Sequence, residues 1–332
     1  PHADCLLFDT TNYYTFMSGA TESDLAVRGH YKAGRHHLRQ IGLGLLVARQ
    51  SRLPLFYRAY PGNLHDSRLF AAVMDEMFAV VAGLTKTKQR LTVVVDKGMN
   101  SEANVLWLDD HPRMHFVTTY APHYVEDLMA VPLDRFSPVE IARNRRLVAG
   151  RLPDEQMLAW RTVGEFWGQE RAVVVTYNPP TARKQNLVLE QKLEQLRQEL
   201  LAMRVKVRAQ LPQWRDPETI WERYFRLCEQ LYVGSEMYDL EFSDQDGTLV
   251  MGFRKDAYRV SRQQERFGKT VIVTDNTDWT TAEIVSASLD RWQVEDRFRQ
   301  SKNDELVGAQ PVRHWTDGKI RCHFFTCVAA LT

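Results

Sequence analysis

The sequence predicts a mixed α/β fold with a large insertion. The prediction rests on the order of its apolar runs, the helical spacing of apolar residues between them, and a change of composition after residue 119. Five apolar runs predict strands, at residues 5–10, 37–48, 52–60, 93–96 and 114–119. The first three are read as antiparallel strands, and helices separate the last three. We therefore expect a mixed sheet flanked by helices.

Two helices are predicted between these strands. The first follows Pro61-Gly62-Asn63, takes Asn63 or Asp66 as its N-cap, and runs through about Val81. Its apolar residues lie on one stripe: Leu69, Phe70, Val73, Met77 and Val80. The second helix follows Ser101 and runs through about Leu108.

The composition changes between residues 120 and 268, which carry scattered prolines and a long charged helix from about Arg183 to Gln210. Short strands are predicted beside this helix at 171–177 and 237–242, and a strand at 270–274 returns the chain to the first layer. A helix over 288–302 and a last apolar helix from about Asp317 follow. We predict three segments: a core over 1–119, an α+β insertion over 120–268, and the second part of the core over 269–332.

The composition excludes several classes of protein. The 332 residues suffice for a large core, and no apolar run approaches the roughly 20 residues of a membrane helix. The four cysteines, Cys5, Cys228, Cys322 and Cys327, are too scattered for a disulfide framework or a zinc site. We therefore expect a cytoplasmic protein with reduced cysteines and no membrane partner. Because the sequence lacks an initiator Met and stops in an apolar run, we expect a fragment of a longer protein.

Positive charge is concentrated locally although the formal net charge is only +1. Residues 28–58 contain seven Lys or Arg and no acid, and two further basic clusters lie at 143–151 and 254–269. Local basic stripes on a neutral protein fit a groove that follows a nucleic-acid backbone. They also fit ordinary solvated faces, and the sequence leaves both interpretations open.

The most informative stretch is residues 288–302, Ser-Leu-Asp-Arg-Trp-Gln-Val-Glu-Asp-Arg-Phe-Arg-Gln-Ser-Lys. It contains no Gly or Pro and predicts one helix. Arg291, Glu295 and Lys302 stand four and seven positions apart, so they share one helical face. A carboxylate held between two cations suits a site where a metal ion and a phosphate chain meet. Surface ion pairs are the alternative.

Two upstream aspartates extend this motif to a candidate acidic site. Asp9 and Asp96 each follow an apolar run that predicts a strand, so both are expected at one rim of the sheet. Hard cations such as Mg²⁺ prefer oxygen ligands, and two such ions support phosphodiester cleavage. Together with Glu295 the aspartates make a possible two-metal phosphoryl-transfer site. The alternative is that each aspartate is only a turn residue.

At these residues the chain resembles the DDE transposases of bacterial insertion sequences, in the IS-four-type branch. The last catalytic helix of that branch carries Tyr, two residues, Arg, three residues, Glu, six residues and Lys. Arg291, Glu295 and Lys302 match these spacings, whereas Ser288 replaces the Tyr. The segments 60–67 and 311–323 also resemble relatives. The resemblance covers nearly the whole chain and is weakest from 120 to 268.

This resemblance implies an RNase H-like fold and an enzyme that nicks DNA at transposon ends and then transfers the strands. It implies that Asp9, Asp96 and Glu295 are the catalytic residues and hold two Mg²⁺ or Mn²⁺ ions. Because active forms in this class pair two ends, a homodimer on DNA is expected.

DNA contacts are expected from four cations near the acids. Arg291 and Lys302 are expected to bind phosphates beside the cleaved bond, and Arg299 and Lys97 are further candidates. The Ser at position 288 removes a stacking or phosphate contact of the family Tyr. Two alternatives are a catalytically inactive DNA-binding descendant of a transposase and an RNase H-like nuclease without strand transfer.

Overall fold

The computed structural model describes residues 5–17, 21–29, 37–64, 70, 73–77, 79–80, 91–111, 113–245 and 247–332. The chain divides into two compact units. The first comprises Pro1–Val125, Trp160–Val175 and Val271–Thr332, and the second comprises Glu126–Ala159 and Thr176–Thr270. Among the described helices, none combines the length and the apolar character needed to cross a bilayer.

The described strands and the longer helices are numbered in chain order. The strands are β1 (Cys5–Thr15), β2 (Val27–Arg28), β3 (Arg39–Ala48), β4 (Pro54–Pro61), β5 (Leu91–Val95), β6 (Met114–Tyr120), β7 (Ser137–Pro138), β8 (Leu158–Phe166), β9 (Gln169–Tyr177), β10 (Tyr238–Gln245), β11 (Thr248–Lys255) and β12 (Lys269–Thr274). The helices are α1 (Glu102–Asp109), α2 (Glu126–Met129), α3 (Ala142–Ala149), α4 (Pro179–Arg208), α5 (Pro217–Leu231), α6 (Ala257–Gln264), α7 (Thr281–Asp290), α8 (Trp292–Lys302) and α9 (Asp317–Ala329).

The first unit is organised around a mixed sheet in which β1 is an interior strand. β1 pairs antiparallel with β3 and parallel with β5, and β4 pairs antiparallel with β3. β6 runs parallel to β5, and the sheet continues through β12, β9 and β8. The order β4-β3-β1-β5-β6, with three antiparallel strands followed by two parallel ones, is that of an RNase H-like core. The predicted fold class is therefore confirmed.

The core of the first unit explains why the central strands read as unbroken apolar runs. All five residues of β5 are buried, because a strand covered on both faces has no solvent side. One face packs on helical residues within 70–80: Phe70, Val73, Met74 and Met77 join Leu6, Phe8 and Val93 in one buried cluster. This is the predicted first helix, although its predicted start, including Asp66 and Leu69, lies outside the described residues.

Two sequence predictions about local structure were wrong. β1 does not stop near residue 10 but continues to Thr15, so Asp9 lies inside a strand rather than at its end. Residues 10–15 are polar or aromatic, yet Thr10, Tyr13 and Thr15 are buried and pairing with β3 continues through Thr15. The single helix predicted over 288–302 is two helices that meet at Arg291, where the backbone N–H of Val294 bonds the Arg291 carbonyl three residues back.

The second unit has its own hydrophobic core, to which α4, α5 and the β10–β11 hairpin contribute. The predicted long helix is α4, and its buried leucines pack with Tyr224 and Cys228 of α5 and with the β10–β11 hairpin. Residues 160–175 fall within the predicted insertion 120–268 but belong to the first unit, where β8 and β9 extend the sheet.

Candidate active site

Asp9 lies within β1, and Asp96 directly follows the last residue of the neighbouring parallel strand β5. Leu7 of β1 is paired with Val94 of β5, and each aspartate lies two residues further along its own strand direction. Because side chains alternate between faces, a step of two keeps each aspartate on the face of its paired residue. The parallel register thus brings two residues 87 positions apart in sequence (9 and 96) to adjacent places on one face.

Arg291 joins two of the three predicted acids. Its Nη1 lies 2.9 Å from Oδ1 of Asp96, and its Nη2 lies 3.2 Å from Oε1 of Glu295. Arg291 is 25% exposed, so this bridge is partly shielded from water. The junction of α7 and α8 therefore positions one guanidinium between a strand-derived carboxylate and a helix-derived one.

Asp9 is electrostatically coupled to the same group. The pKa of the Asp9 carboxyl is raised to about 6, chiefly by burial and to a smaller extent by the negative charges of Asp96 and Glu295. The backbone N–H of Thr10, which donates to Oδ1 of Asp9 at 2.8 Å, and the Arg291 charge act in the opposite direction. Three carboxylates and one guanidinium therefore share a region with surplus negative charge.

Lys302 is fixed against the strand that carries Asp9. Its Nζ donates to Oγ1 of Thr11 at 2.6 Å and lies 5.1 Å from the centre of the Tyr13 ring. The Tyr13 hydroxyl also bonds Oγ of Ser301 at 2.5 Å. These contacts hold the end of α8 on β1, so Glu295 approaches the sheet from a helix anchored to the Asp9 strand.

The turn between β3 and β4 anchors the start of α8, which sequence reasoning missed. Nε of Arg49 bonds Oδ2 of Asp290 at 2.7 Å, and the Arg52 guanidinium lies 5.3 Å from the centre of the Trp292 ring. The basic stretch 28–58 was the available signal, but it suggested DNA contact or a solvated face. Arg58 of that stretch pairs with Glu76 at 2.9 Å. Some cations of the stretch 28–58 therefore hold parts of the fold together.

The remaining predicted DNA contacts lie at the periphery. Arg299 is 81% exposed and pairs with Asp296 on the same helix. Lys97 is exposed directly after Asp96. Among the residues that the structure describes, neither side chain forms an ion pair with Asp9 or Glu295, and both face solvent.

The donor chemistry of this site fits a divalent cation. Within the described part of the chain, no three His, Cys, Asp or Glu side chains are arranged to hold one metal ion, and Arg291 bridges Asp96 and Glu295 instead. The three acids nevertheless offer only carboxylate oxygens, the ligands that Mg²⁺ and Mn²⁺ prefer. The pKa of Asp9 is raised mainly by burial and in smaller part by the two neighbouring carboxylates, and a bound cation would favour the charged form of all three.

The chain belongs to the transposase DDE domain family, whose model matches residues 6–332. The family predicted from the sequence is therefore confirmed, and the IS-four-type branch stays a prediction.

Two further comparisons complete the picture. A cryo-EM structure of the piggyBac transposase synaptic complex with hairpin DNA is similar with a TM-score of 0.29 and 10% sequence identity. The similarity covers 53% of this chain and 30% of that one, so the chain spans less than a third of that protein. None of the curated proteins that were compared matches the sequence significantly.

Proposed function

We propose that the chain is the catalytic core of a DNA transposase that nicks DNA at the ends of its element and joins the freed strands to target DNA. The family match over residues 6–332 supports this proposal. The observation that supports it for particular residues is the pair of bonds from Arg291 to Asp96 and Glu295. The charge of Arg291 also acts on Asp9. Two acids far apart in sequence share this arginine, and the charge of the third acid is coupled to it.

In this proposal Asp9, Asp96 and Glu295 hold two Mg²⁺ or Mn²⁺ ions. When bound, such ions activate the attacking oxygen and stabilise the leaving oxygen of the phosphodiester. The two aspartates each lie two residues beyond the paired residues Leu7 and Val94, whereas Glu295 lies on the anchored helix α8. The carboxylates thus come from rigid elements, which suits a reaction that depends on positioning.

The cations of the site bind the DNA backbone in this proposal. Arg291 exchanges its carboxylate partners for phosphate oxygens, which a planar guanidinium binds through two parallel N–H donors. Lys302 keeps a positive charge beside β1 through its bonds to Thr11 and Tyr13. Arg299 and Lys97 are exposed and contact phosphates further along the strand. The active form is a homodimer that pairs two element ends.

The test is cleavage of labelled DNA that spans the ends of the element, by the intact parent protein with Mn²⁺. Glu295→Ala removes a proposed metal ligand, and we expect cleavage to fall by at least a factor of about 10³, since the charge stabilisation lost is of oxyanion-hole size or larger. Glu305→Ala is the matched control, because Glu305 is exposed three residues after Lys302.

Each alternative predicts a different result. Equal cleavage by the parent and by Glu295→Ala would remove the proposed mechanism. An absence of cleavage by both proteins, with DNA binding retained, would favour the inactive descendant. Cleavage without joining of pre-cut ends to target DNA would favour a nuclease without strand transfer.

A further inference from the structure

The second unit carries a dense group of cations where α4 ends and α5 begins. We call this region, residues 204–223, the hairpin tip. It contains five Lys or Arg side chains: Arg204, Lys206, Arg208, Arg215 and Arg223. It also contains three acids: Asp216 and Glu218 lie at the start of α5, and Glu222 lies in the first half of that helix.

Trp214 organises the centre of the hairpin tip. Its ring is almost fully buried, and it lies 5.1 Å from Nζ of Lys206 and 4.5 Å from the guanidinium carbon of Arg223. Arg204 is held in the same manner, 5.4 Å from the centre of the Phe253 ring on β11. Cations packed on aromatic rings keep their charge while losing rotamer freedom. The tip therefore presents positive charge from partly preorganised side chains.

These five cations form no ion pair with any residue that the structure describes, unlike other cations of the same helices. Arg197 of α4 pairs with Glu194 at 3.1 Å, and Arg226 of α5 pairs with Glu222 at 3.2 Å. Asp216 is occupied as the N-cap of α5, where it accepts the backbone N–H of Thr219 at 3.0 Å. The positive charge of the tip is therefore left without a matching carboxylate.

Helix electrostatics account for only part of this cluster. Lys206 and Arg208 lie in the last turn of α4, where cations stabilise the negative end of the helix dipole. Arg215 precedes α5, and Arg223 lies in its first half, where the dipole gives no benefit to a cation. The tip therefore carries more positive charge than the helices require.

We propose that the hairpin tip is a second binding surface, formed by residues of the second unit alone, which contacts the phosphate backbone of double-stranded DNA. Unpaired cations fixed on a protein surface match a polyanion whose charges repeat about every 1.7 Å along its axis. The surface offers charge but no convergent set of groups for reading bases, so it binds without sequence preference. The choice of DNA among polyanions rests on the proposed function.

The test measures binding of the intact protein to a fluorescent duplex of arbitrary sequence, over a series of salt concentrations and with a chelator present. The double variant Lys206→Gln/Arg223→Gln removes two tip cations. The double variant Arg197→Gln/Arg226→Gln is the matched control, because it removes the same charge from the same helices at positions that are already ion-paired.

We expect the tip variant to lower the slope of log affinity against log salt by about two and to weaken binding roughly tenfold at low salt. The control is expected to keep the parent slope. Equal changes in both variants, or no change in either, would overturn the proposal.

Lys206 and Arg223 also pack on Trp214, so a folding defect must be separated from a binding defect. Arg208→Gln/Arg215→Gln removes two tip cations that are not among those packed on the Trp214 ring in the described structure, and the same loss of slope is expected. If this variant binds like the parent, the proposal is wrong. The binding assay contains a chelator and requires no cleavage, so a failed cleavage assay and a failed tip assay remain distinguishable.

Discussion

A single guanidinium acts as the counter-ion of the acidic group. Arg291 reaches Asp96 with one terminal nitrogen and Glu295 with the other, while its charge also opposes the raised pKa of Asp9. Each of these carboxylates has a neighbour of the same sign. Removing the guanidinium would leave like charges close together in a partly shielded place, where screening by solvent is weaker than at the open surface.

The variant Arg291→Gln tests this role. We expect the free energy of unfolding to fall by about 1 kcal/mol at low ionic strength, because two partly exposed ion pairs are lost and repulsion remains. The loss should shrink as salt is added. Urea unfolding at low and high salt measures it. Arg299→Gln is the control, since Arg299 is 81% exposed and pairs only within its helix. An equal loss in both variants would contradict this role.

The order in which the four cysteines react with an alkylating reagent is a second prediction at the scale of single residues. Cys5, Cys228 and Cys327 are buried, whereas Cys322 is exposed. Burial raises the pKa of the Cys5 thiol to about 11 and raises the pKa of Cys228 and Cys327, so little of the reactive thiolate is present at neutral pH. Brief treatment with iodoacetamide should therefore label Cys322 first. Peptide mapping by mass spectrometry reads the order, and rapid labelling of Cys5 in the folded protein would contradict it.

At the scale of elements, the position of helix α7 determines where Arg291 and Glu295 lie, because α7 ends directly before Arg291. Thr280 caps this helix by a reciprocal arrangement: its hydroxyl accepts the backbone N–H of Glu283, and the Glu283 carboxylate accepts the backbone N–H of Thr280. The cap fixes the register of α7, and the bond from Arg49 to Asp290 fixes its other end. Helix position thus depends on contacts remote from the acids.

Thr280→Ala should lower the free energy of unfolding by about 1 kcal/mol, because the backbone N–H of Glu283 loses its acceptor and the bond from the Thr280 hydroxyl to the Glu283 carboxylate is lost. Chemical denaturation measures the change. Thr281→Ala provides a matched control, because Thr281 is the first helical residue and is not the N-cap. A larger loss for Thr281→Ala than for Thr280→Ala would show that the cap does not stabilise this helix.

The sequence predicted the elements whose burial is uniform. The strands expected at 37–48, 93–96 and 114–119 are confirmed as β3, β5 and β6, because a strand buried on both faces appears as an apolar run. The second half of β1 was missed, since its Thr, Asn and Tyr residues do not form such a run. β8 was missed for the same reason, because most of its residues are only half-buried.

The candidate site was predicted in part because helical spacing is local information. The spacing of Arg291 and Glu295 predicted one face, and the two residues form an ion pair. The bridge from Arg291 to Asp96 depends on strand pairing, which spacing does not encode. The break at Arg291 was also unpredictable, since its backbone angles, φ −54° and ψ −27°, remain helical. Whether these residues catalyse a reaction stays a prediction.

At the scale of the whole molecule, each unit has a separate hydrophobic cluster. One cluster joins β1, β5 and β6 to helical residues near 70–77, and the other joins α4, α5 and the β10–β11 hairpin. Residues of one cluster do not recur in the other. Because cooperative opening follows contiguous packing, we expect each unit to respond to damage in its own core first.

Leu196→Ala tests this expectation in the second unit, where Leu196 is fully buried on α4. The cavity should cost about 2–5 kcal/mol. Amide hydrogen exchange is expected to accelerate in peptides from α4 and α5 but not in those from β1 and β5. Leu187→Ala, at a side chain that is 56% exposed on the same helix, should have little effect. Equal acceleration in both units would show that they open together.

The contacts of β1 with distant residues have a consequence for synthesis. Tyr13 bonds Ser301, and the hydroxyl of Thr15 donates to the carbonyl of Val312 at 2.6 Å, across separations of 288 and 297 residues. A ribosome has therefore translated almost all of this sequence before β1 can gain these partners, and closing so long a loop is slow. A prematurely terminated polypeptide would lack Glu295 and its anchoring helix, and in our proposal it would be unable to cut DNA.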